Sequence, residues 1–132
     1  TDPMILVGDL NIAPLECDVW SHKQLLKVVS HTPIEVDHLN RLMRASDWID
    51  TARYLTPEPQ KLFTWWSYRS REWSTANKGR RLDHIWVSPA LEQKIIESGE
   101  LRDARGWEKP DLIKKILSLG QTRLNGQYLI VA

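Results

Sequence analysis

The stretch Met4–Pro14, MILVGDLNIAP, decides how the chain is read. Met4 to Val7 is an unbroken apolar run, the pattern of a β-strand covered on both faces. Gly8 closes the run, and Asp9 and Asn11 follow with one residue between them. Open α/β sheets place ligands in the crevice beyond the carboxyl ends of their strands. Residues two apart share a face while the backbone stays extended. Asp9 and Asn11 can therefore act on one atom together. A carboxylate takes a proton from water or holds a hard cation through oxygen. An amide donates to a phosphate oxygen as charge builds on it. A turn is the competing reading, because Gly-Asp and Asn are common turn formers. Spacing alone favours the turn.

The rest of the chain alternates between strand and helix patterns. Residues 9–21 read as a loop and HKQLLKVV (22–29) as a short helix. Thr32, Pro33 and Glu35 have the order of a capped helix start. Ile34, Leu39, Leu42 and Met43 recur at the spacing of a buried helix face. DWIDTARYL (47–55) leads into a Pro-rich turn at TPEPQ (56–60). LFTWWSYR (62–69) predicts a strand, SREWSTANKGRR (70–81) a polar basic loop, and RLDHIWVS (81–88) the next strand. Pro89 then opens a helix through ALEQKIIES (90–98), stopped by Gly99. ELRDAR (100–105) predicts one more strand and DLIKKILSL (111–119) an amphipathic helix. GQTRLNGQYLIVA (120–132) ends apolar, as a final strand or as exposed surface. The alternation is that of an α/β protein.

The 132 residues suffice for one modest domain with one core. A net charge of +1 carries no global sign of nucleic acid, so a basic footprint must be local. Seven tryptophans point to a well-filled core, a stacking surface, or both. The lone cysteine, Cys17, excludes an internal disulfide and suits a reducing, cytoplasmic compartment. It has no activating neighbours and reads as a small hydrophobe. No apolar run approaches membrane-spanning length, and the start lacks the pattern of a signal peptide. The chain enters its first strand at once, and that strand needs sheet neighbours. The N-terminus therefore reads as an interior cut in a larger protein.

Two further features carry chemistry. Residues 69–81 hold five cations (Arg69, Arg71, Lys78, Arg80 and Arg81) against Glu72, a local +4. That is a phosphate-contact footprint. Trp65, Trp66, Tyr68 and Trp73 lie beside it, and aromatics next to cations suit stacking against nucleotides. A solvated charged loop over an aromatic core is the plainer alternative. On the following strand, alternation puts Leu82, His84 and Trp86 on one face and Asp83, Ile85 and Val87 on the other. A carboxylate among apolar neighbours needs a partner, and one use of it is to orient a catalytic histidine. His84 is adjacent but faces away. His22, His31 and His38 read as surface or cap residues.

Taken in order, LVGDLNIAP, LFTWWSYRS and NKGRRLDHIWVS resemble the exonuclease III branch of the endonuclease/exonuclease/phosphatase family. The likeness runs from about Met4 to Pro110, so the chain divides into a matched segment, 1–110, and a tail, 111–132, that resembles nothing in the family. Gly-Asp-x-Asn is shared across the superfamily; its combination with TWWSYR and NKGRRLDH is far more specific. The resemblance implies one half of a four-layer α/β/β/α sandwich and a Mg²⁺-dependent DNA repair nuclease, with Mn²⁺ as a substitute ion. Such enzymes cut 5′ to abasic sites and degrade duplex DNA from 3′ ends. It implies that Asp9 activates the attacking water or holds the metal. Asn11 binds the scissile phosphate and shares the metal site, and Asp83 orients a catalytic histidine. Trp65 then lies against the abasic sugar or wedges into the duplex. Tyr68, Arg69, Asn77, Lys78, Arg80 and Arg81 approach the DNA strand.

The family's first half supplies a glutamate, an asparagine and a tyrosine to the site, and its closing motif is Ser-Asp-His. No Ser-Asp-His occurs in this sequence, where RGWEKP is followed by DLIKKILSLG. Little or no activity is therefore expected of the chain alone. The inner sheet face is expected to need a missing N-terminal half, a second copy or the tail to cover it. The alternative is a non-catalytic module that binds DNA or complements a partner. A phosphoesterase acting on lipid or inositol phosphates is disfavoured by the basic, Trp-rich loops.

Overall fold

A computed structural model describes residues 2–67, 71–100, 122–124 and 127–131. Its elements are β1 (Ile5–Asp9), a 3-10 turn (Glu16–Asp18), α1 (His22–Leu25), α2 (Pro33–Ala45), β2 (Ile49–Asp50) and α3 (Thr51–Leu55). Then come α4 (Trp73–Ala76), β3 (Asp83–Val87), a second 3-10 turn (Pro89–Lys94), β4 (Ile95–Glu100), β5 (Thr122–Leu124) and β6 (Gln127–Val131). The fold is the expected mixed α/β class. The strands form two antiparallel three-stranded sheets, ordered β1-β3-β2 and β4-β6-β5. The tail's strands thus join β4 of the matched segment, and of the two readings of its apolar end, strand or exposed surface, the strand is the one found. The strand expected over 100–105 and the helix over 111–119 fall largely or wholly outside the described residues. Among the described residues no helix is long and apolar enough to cross a membrane.

β3 is the centre of the first sheet, and all five of its residues are buried. Ile85 and Val87 pack with Ile49, Leu91 and Ile95, while Trp86 meets Trp48 and His84 on the other face. The Thr51 hydroxyl donates to the Ile85 carbonyl at 2.7 Å, tying α3 to the strand. β1 lies at the edge and differs from the expectation of a strand covered on both faces. Ile5 and Val7 are 43% and 44% exposed, and only Leu6 and Gly8 are partly covered. Ile85 and Val87 share that face but have neighbours beyond β3; Ile5 and Val7, one strand out, have less covering them.

α2 starts as its capping residues predict. The Glu35 carboxylate accepts from the Thr32 hydroxyl at 2.6 Å, the Ser30 N–H at 2.9 Å and the Thr32 N–H at 3.4 Å. The Thr32 hydroxyl, foremost, holds the Glu35 carboxyl below its usual range. Its buried face is narrower than predicted. Leu39 is buried with Met43 partly covered, but Ile34 and Leu42 are 65% and 50% exposed. Ile34, His38 and Leu42 form a row at i, i+4 and i+8, displaced around the helix from the row through Glu35, Leu39 and Met43. Only the second row turns inward.

Two other expectations fail locally. Among residues 61–67 there is no regular strand; Trp65 makes a single antiparallel bridge to Arg80. The predicted helix over 90–98 is a 3-10 turn followed by β4, which begins at the β-branched pair Ile95-Ile96. Gly79 packs against Phe63, and a Cβ there would stand 2.6 Å from Phe63 Cβ and Cγ. Gly79→Ala is therefore expected to destabilise the fold by about 1–3 kcal/mol through overpacking, read from the urea midpoint. A change within about 0.5 kcal/mol would mean that Phe63 yields freely.

Candidate active site

The first sheet's register assembles the acidic corner. Ile5 stands opposite Val87, Val7 opposite Ile85, and Asp9 opposite Asp83. Opposed residues in an antiparallel pair share a face, so Asp9 and Asp83 stand on one face where β1 ends and β3 begins. Asp9 is exposed and Asp83 is 1% exposed. Asn11 follows in the left-handed region, at φ 56°, and gives its N–H to Asp9 Oδ1 at 3.0 Å. Asn is among the residues that tolerate this conformation. The turn reading is realised: the Asp9–Asn11 turn takes Asn11 out of the extended conformation in which residues two apart share a face, and ties its backbone to the Asp9 carboxylate.

Asp83 is positioned by a residue the sequence reading passed over. The Thr64 hydroxyl accepts from the backbone N–H of Leu82 at 3.0 Å and of Asp83 at 3.1 Å. A side chain thus completes hydrogen bonding that a paired strand would otherwise supply, which explains why 62–67 need not be a strand. His84 faces away from Asp83, as alternation predicts, and directs Nε2 to the Ile12 carbonyl at 2.8 Å.

Arg81 corrects the predicted basic face. It is fully buried, with Nε 2.7 Å from Asp18 Oδ1, Nη2 2.9 Å from Asp18 Oδ2 and Nη1 2.8 Å from Asp50. Arg53 adds a second guanidinium on Asp18, and its own N–H meets Asp50 Oδ1 at the start of α3. Burial opposes the charge on Asp18, but Arg81 and Arg53 outweigh it and hold the carboxyl below its usual range. Burial likewise opposes the charge on Arg81, yet Asp50 and Asp18 raise its pKa. Committed to two carboxylates inside the molecule, Arg81 presents no charge to a phosphate. It braces the entry to β3 two residues before Asp83. Burial pushes the Cys17 thiol up, in keeping with an inert hydrophobe.

The remaining predicted contacts gather around an open cavity of about 250 Å³ lined by Trp20, Trp65, Trp66, Ser67, Trp73, Lys78 and Arg80. Lys78 Nζ sits 4.8 Å from the centre of the Trp20 ring, and the Arg80 guanidinium 5.4 Å from that of Trp65. Both are cation–π distances. Arg80 also donates to the Val29 carbonyl at 3.2 Å and Ser30 Oγ at 3.1 Å, and burial lowers its pKa. Asn77 ends α4 in the left-handed conformation at φ 49°, and its Oδ1 accepts from Trp66 Nε1 at 3.0 Å. Tyr68 and Arg69 lie outside the described residues.

For a cation, the corner offers the Asp9 carboxylate and the Asn11 amide oxygen. Among the described residues no three His, Cys, Asp or Glu side chains converge so as to hold a metal ion. A hard ion that keeps several waters and takes phosphate oxygens, as Mg²⁺ does, fits so sparse a donor set; an ion that needs a full protein cage does not.

Residues 1–110 match the family described as Endonuclease/Exonuclease/phosphatase. The chain is 33% identical over 116 residues to the Exodeoxyribonuclease III of Haemophilus influenzae, covering 83% of this chain and 43% of that protein. It is 34% identical over 104 residues to the DNA repair nuclease APEX1 of Danio rerio, covering 79% of this chain and 33% of that one. Among solved structures, a 3′-5′ exonuclease from Neisseria meningitidis superposes with a TM-score of 0.73 at 27% identity, over 81% of this chain and 41% of that one. An AP endonuclease from Archaeoglobus fulgidus shares the fold, with a TM-score of 0.78 at 20% identity over 99% of this chain and 45% of that chain. The chain spans less than half the length of each of these relatives.

Proposed function

The chain belongs to the endonuclease/exonuclease/phosphatase family, in its exonuclease III and abasic-site endonuclease branch, and from that membership we propose that it carries one half of the active site of a DNA phosphodiesterase. The observation that supports this most is the register that sets Asp9 opposite Asp83 with Asn11 beside them. Asp9, exposed, takes the proton of the attacking water or holds the ion. Asn11 donates its amide to the scissile phosphate as negative charge develops. Asp83, buried at the same corner, orients a proton-carrying group. Asp9 and Asn11 would hold Mg²⁺, or Mn²⁺ in its place, which when bound polarises the phosphate and stabilises the leaving oxygen. The tryptophan and lysine cavity takes the substrate strand, with Trp65 against the sugar and Lys78 and Arg80 beside phosphates. Abasic sites and 3′ ends in duplex DNA are the proposed substrates, and a cytoplasmic setting suits the buried thiol.

By itself the chain is proposed to turn over slowly or not at all. Its described corner brings one exposed carboxylate and one amide, and losing members of a cooperating catalytic set costs orders of magnitude. Met4, Ile5 and Val7, at one sheet edge, are 43% to 48% exposed, apolar side chains that a complementary N-terminal half or a second copy would cover. The test is nicking of a duplex bearing one abasic site, with Mg²⁺ or with chelator. Activity at background level is expected. Robust Mg²⁺-dependent turnover that Asp9→Ala abolishes would overturn the inactivity while supporting the site.

A second reading, a module that binds DNA without chemistry, draws on the cavity. Its cations and tryptophans are a separate set from the Asp9 corner. It predicts salt-sensitive duplex binding that Asp9→Ala leaves intact.

A further inference from the structure

Two buried histidines that the sequence reading set aside grip the loop on the far side of Asn11. His84 directs Nε2 to the Ile12 carbonyl at 2.8 Å, and His31 directs Nδ1 to the Ala13 carbonyl at 2.7 Å. A carbonyl only accepts, so each of these ring nitrogens carries a proton. The two rings therefore present opposite nitrogens to successive peptide groups. The neighbouring amides are engaged as well: Leu10 N–H donates to Leu82 O at 3.0 Å, and Ala13 N–H to Ser30 O at 2.8 Å. Asn11, between these anchors, holds φ 56°, a conformation that persists when its surroundings determine it.

Each histidine is itself constrained. His31 is 3% exposed. With Nδ1 engaged by Ala13, its Nε2 faces His22 Nδ1 at 2.7 Å, and one of the two rings donates across that contact. His22 Nε2 in turn lies 3.2 Å from Glu16 Oε1. The Ala13 carbonyl, which only accepts, sets the proton on His31 Nδ1, and the row through His22 to Glu16 holds the ring in place. Glu35 and Arg80 brace the segment on either side, through Ser30 and Thr32. His84 is fully buried; burial first and then Arg81 hold its imidazole below the usual histidine range. Its Nδ1 is buried with no hydrogen-bond partner among the described residues, which leaves Nε2 as the protonated atom.

We propose that His31 and His84 are positioning residues for Asn11: through opposite ring nitrogens they clamp the Ile12 and Ala13 carbonyls and keep Asn11 in its left-handed conformation beside Asp9. The inference rests on the nuclease reading only for what Asn11 then does.

Crossed substitutions test it in the purified chain. Asn places a donor near the Nδ1 position and Gln near the Nε2 position. His31→Asn and His84→Gln should therefore keep the clamp, and His31→Gln and His84→Asn should lose it. Amide hydrogen exchange at Asn11 and Ala13 is expected to accelerate about tenfold or more in the two mismatched variants and to stay near the parent rate in the matched ones. Equal behaviour of Asn and Gln at either position would overturn the proposal. Imidazole ¹⁵N spectra of the unaltered chain give a second reading that survives any variant's failure to fold. An Nδ1–H signature for His31 with Nε2–H for His84 supports the clamp, and any other pair of tautomers refutes it. Neither readout requires the chain to bind or cut DNA, so its failure is distinct from failure of the nuclease reading.

Discussion

Asp18→Ala is expected to remove about 3–5 kcal/mol of folding stability, the cost of breaking a buried ion pair by deleting one partner. Asp18 is fully buried and takes both Nε and Nη2 of Arg81, together with a guanidinium nitrogen of Arg53. Without it, Arg53 loses its carboxylate and Arg81 keeps only Asp50. A loss of that size is a large share of the 5–15 kcal/mol typical of a domain. Urea unfolding with an unchanged slope would report it as a lower midpoint. Asp18→Asn keeps the shape but not the charge and should lose nearly as much. The pH dependence has a definite sign. Asp18 has a depressed pKa in the folded chain. Its stabilisation is fully present above the unfolded-state value of about 3.9 and is lost as pH falls through the folded one. The parent should lose stability more steeply with acid than Asp18→Asn does. A destabilisation below about 1 kcal/mol, or parallel acid curves, would contradict the buried network.

The second large effect concerns binding. Trp65→Ala is expected to weaken association with an abasic-site duplex by about 5- to 150-fold, the range for losing one aromatic stacking partner. Trp65→Phe should retain most of the affinity. Because Trp65 also packs against the buried cluster of Ala13, Val19, Leu25 and Leu82, its variants are compared at concentrations and temperatures where unfolding curves show them folded. Lys78→Ala tests the charge separately. Lys78 is exposed and stands over Trp20, so its loss should lower the slope of log affinity against log salt by about 0.9 for one phosphate contact, with little change in stability. Fluorescence anisotropy across a salt series measures both. Binding that is indifferent to salt and to Trp65 would remove the nucleic-acid reading of the cavity.

The acidic corner is legible from three motifs taken together, since spacing alone favours a turn. Gly8 ends an apolar run, Asp9 and Asn11 follow at once, and Asp83 opens the next strongly apolar segment. Their meeting across the sheet needed only that two strands pair. The buried network was not legible. Asp18 stands alone in a loop, 63 residues from the arginine it binds, and nothing in the local pattern separates Arg81 from the exposed Lys78 before it. Counting charge along a segment treats every cation as solvated; burial is set by the other end of the contact. The same holds for His31, whose neighbours look like those of an ordinary helix-cap residue while its ring reaches the loop at Ala13. The aromatics of 62–69 read as a strand because strands favour them. In the fold, Trp65 and Trp66 line a cavity wall, and Thr64 supplies the acceptor for β3.

The pairing of β1 with β3 also has a kinetic meaning. Asp9 and Asp83 are opposed across a contact that closes a loop of more than seventy residues. Contacts so remote in sequence form late, after the entropy of closing the loop has been met. A nascent or partly refolded chain can form α2 and the Asp9–Asn11 turn from local interactions and still have no paired carboxylates. The acidic corner therefore reports on completed sheet closure, and recovery of any property that depends on both Asp9 and Asp83 should track the slowest refolding phase rather than the return of helical signal.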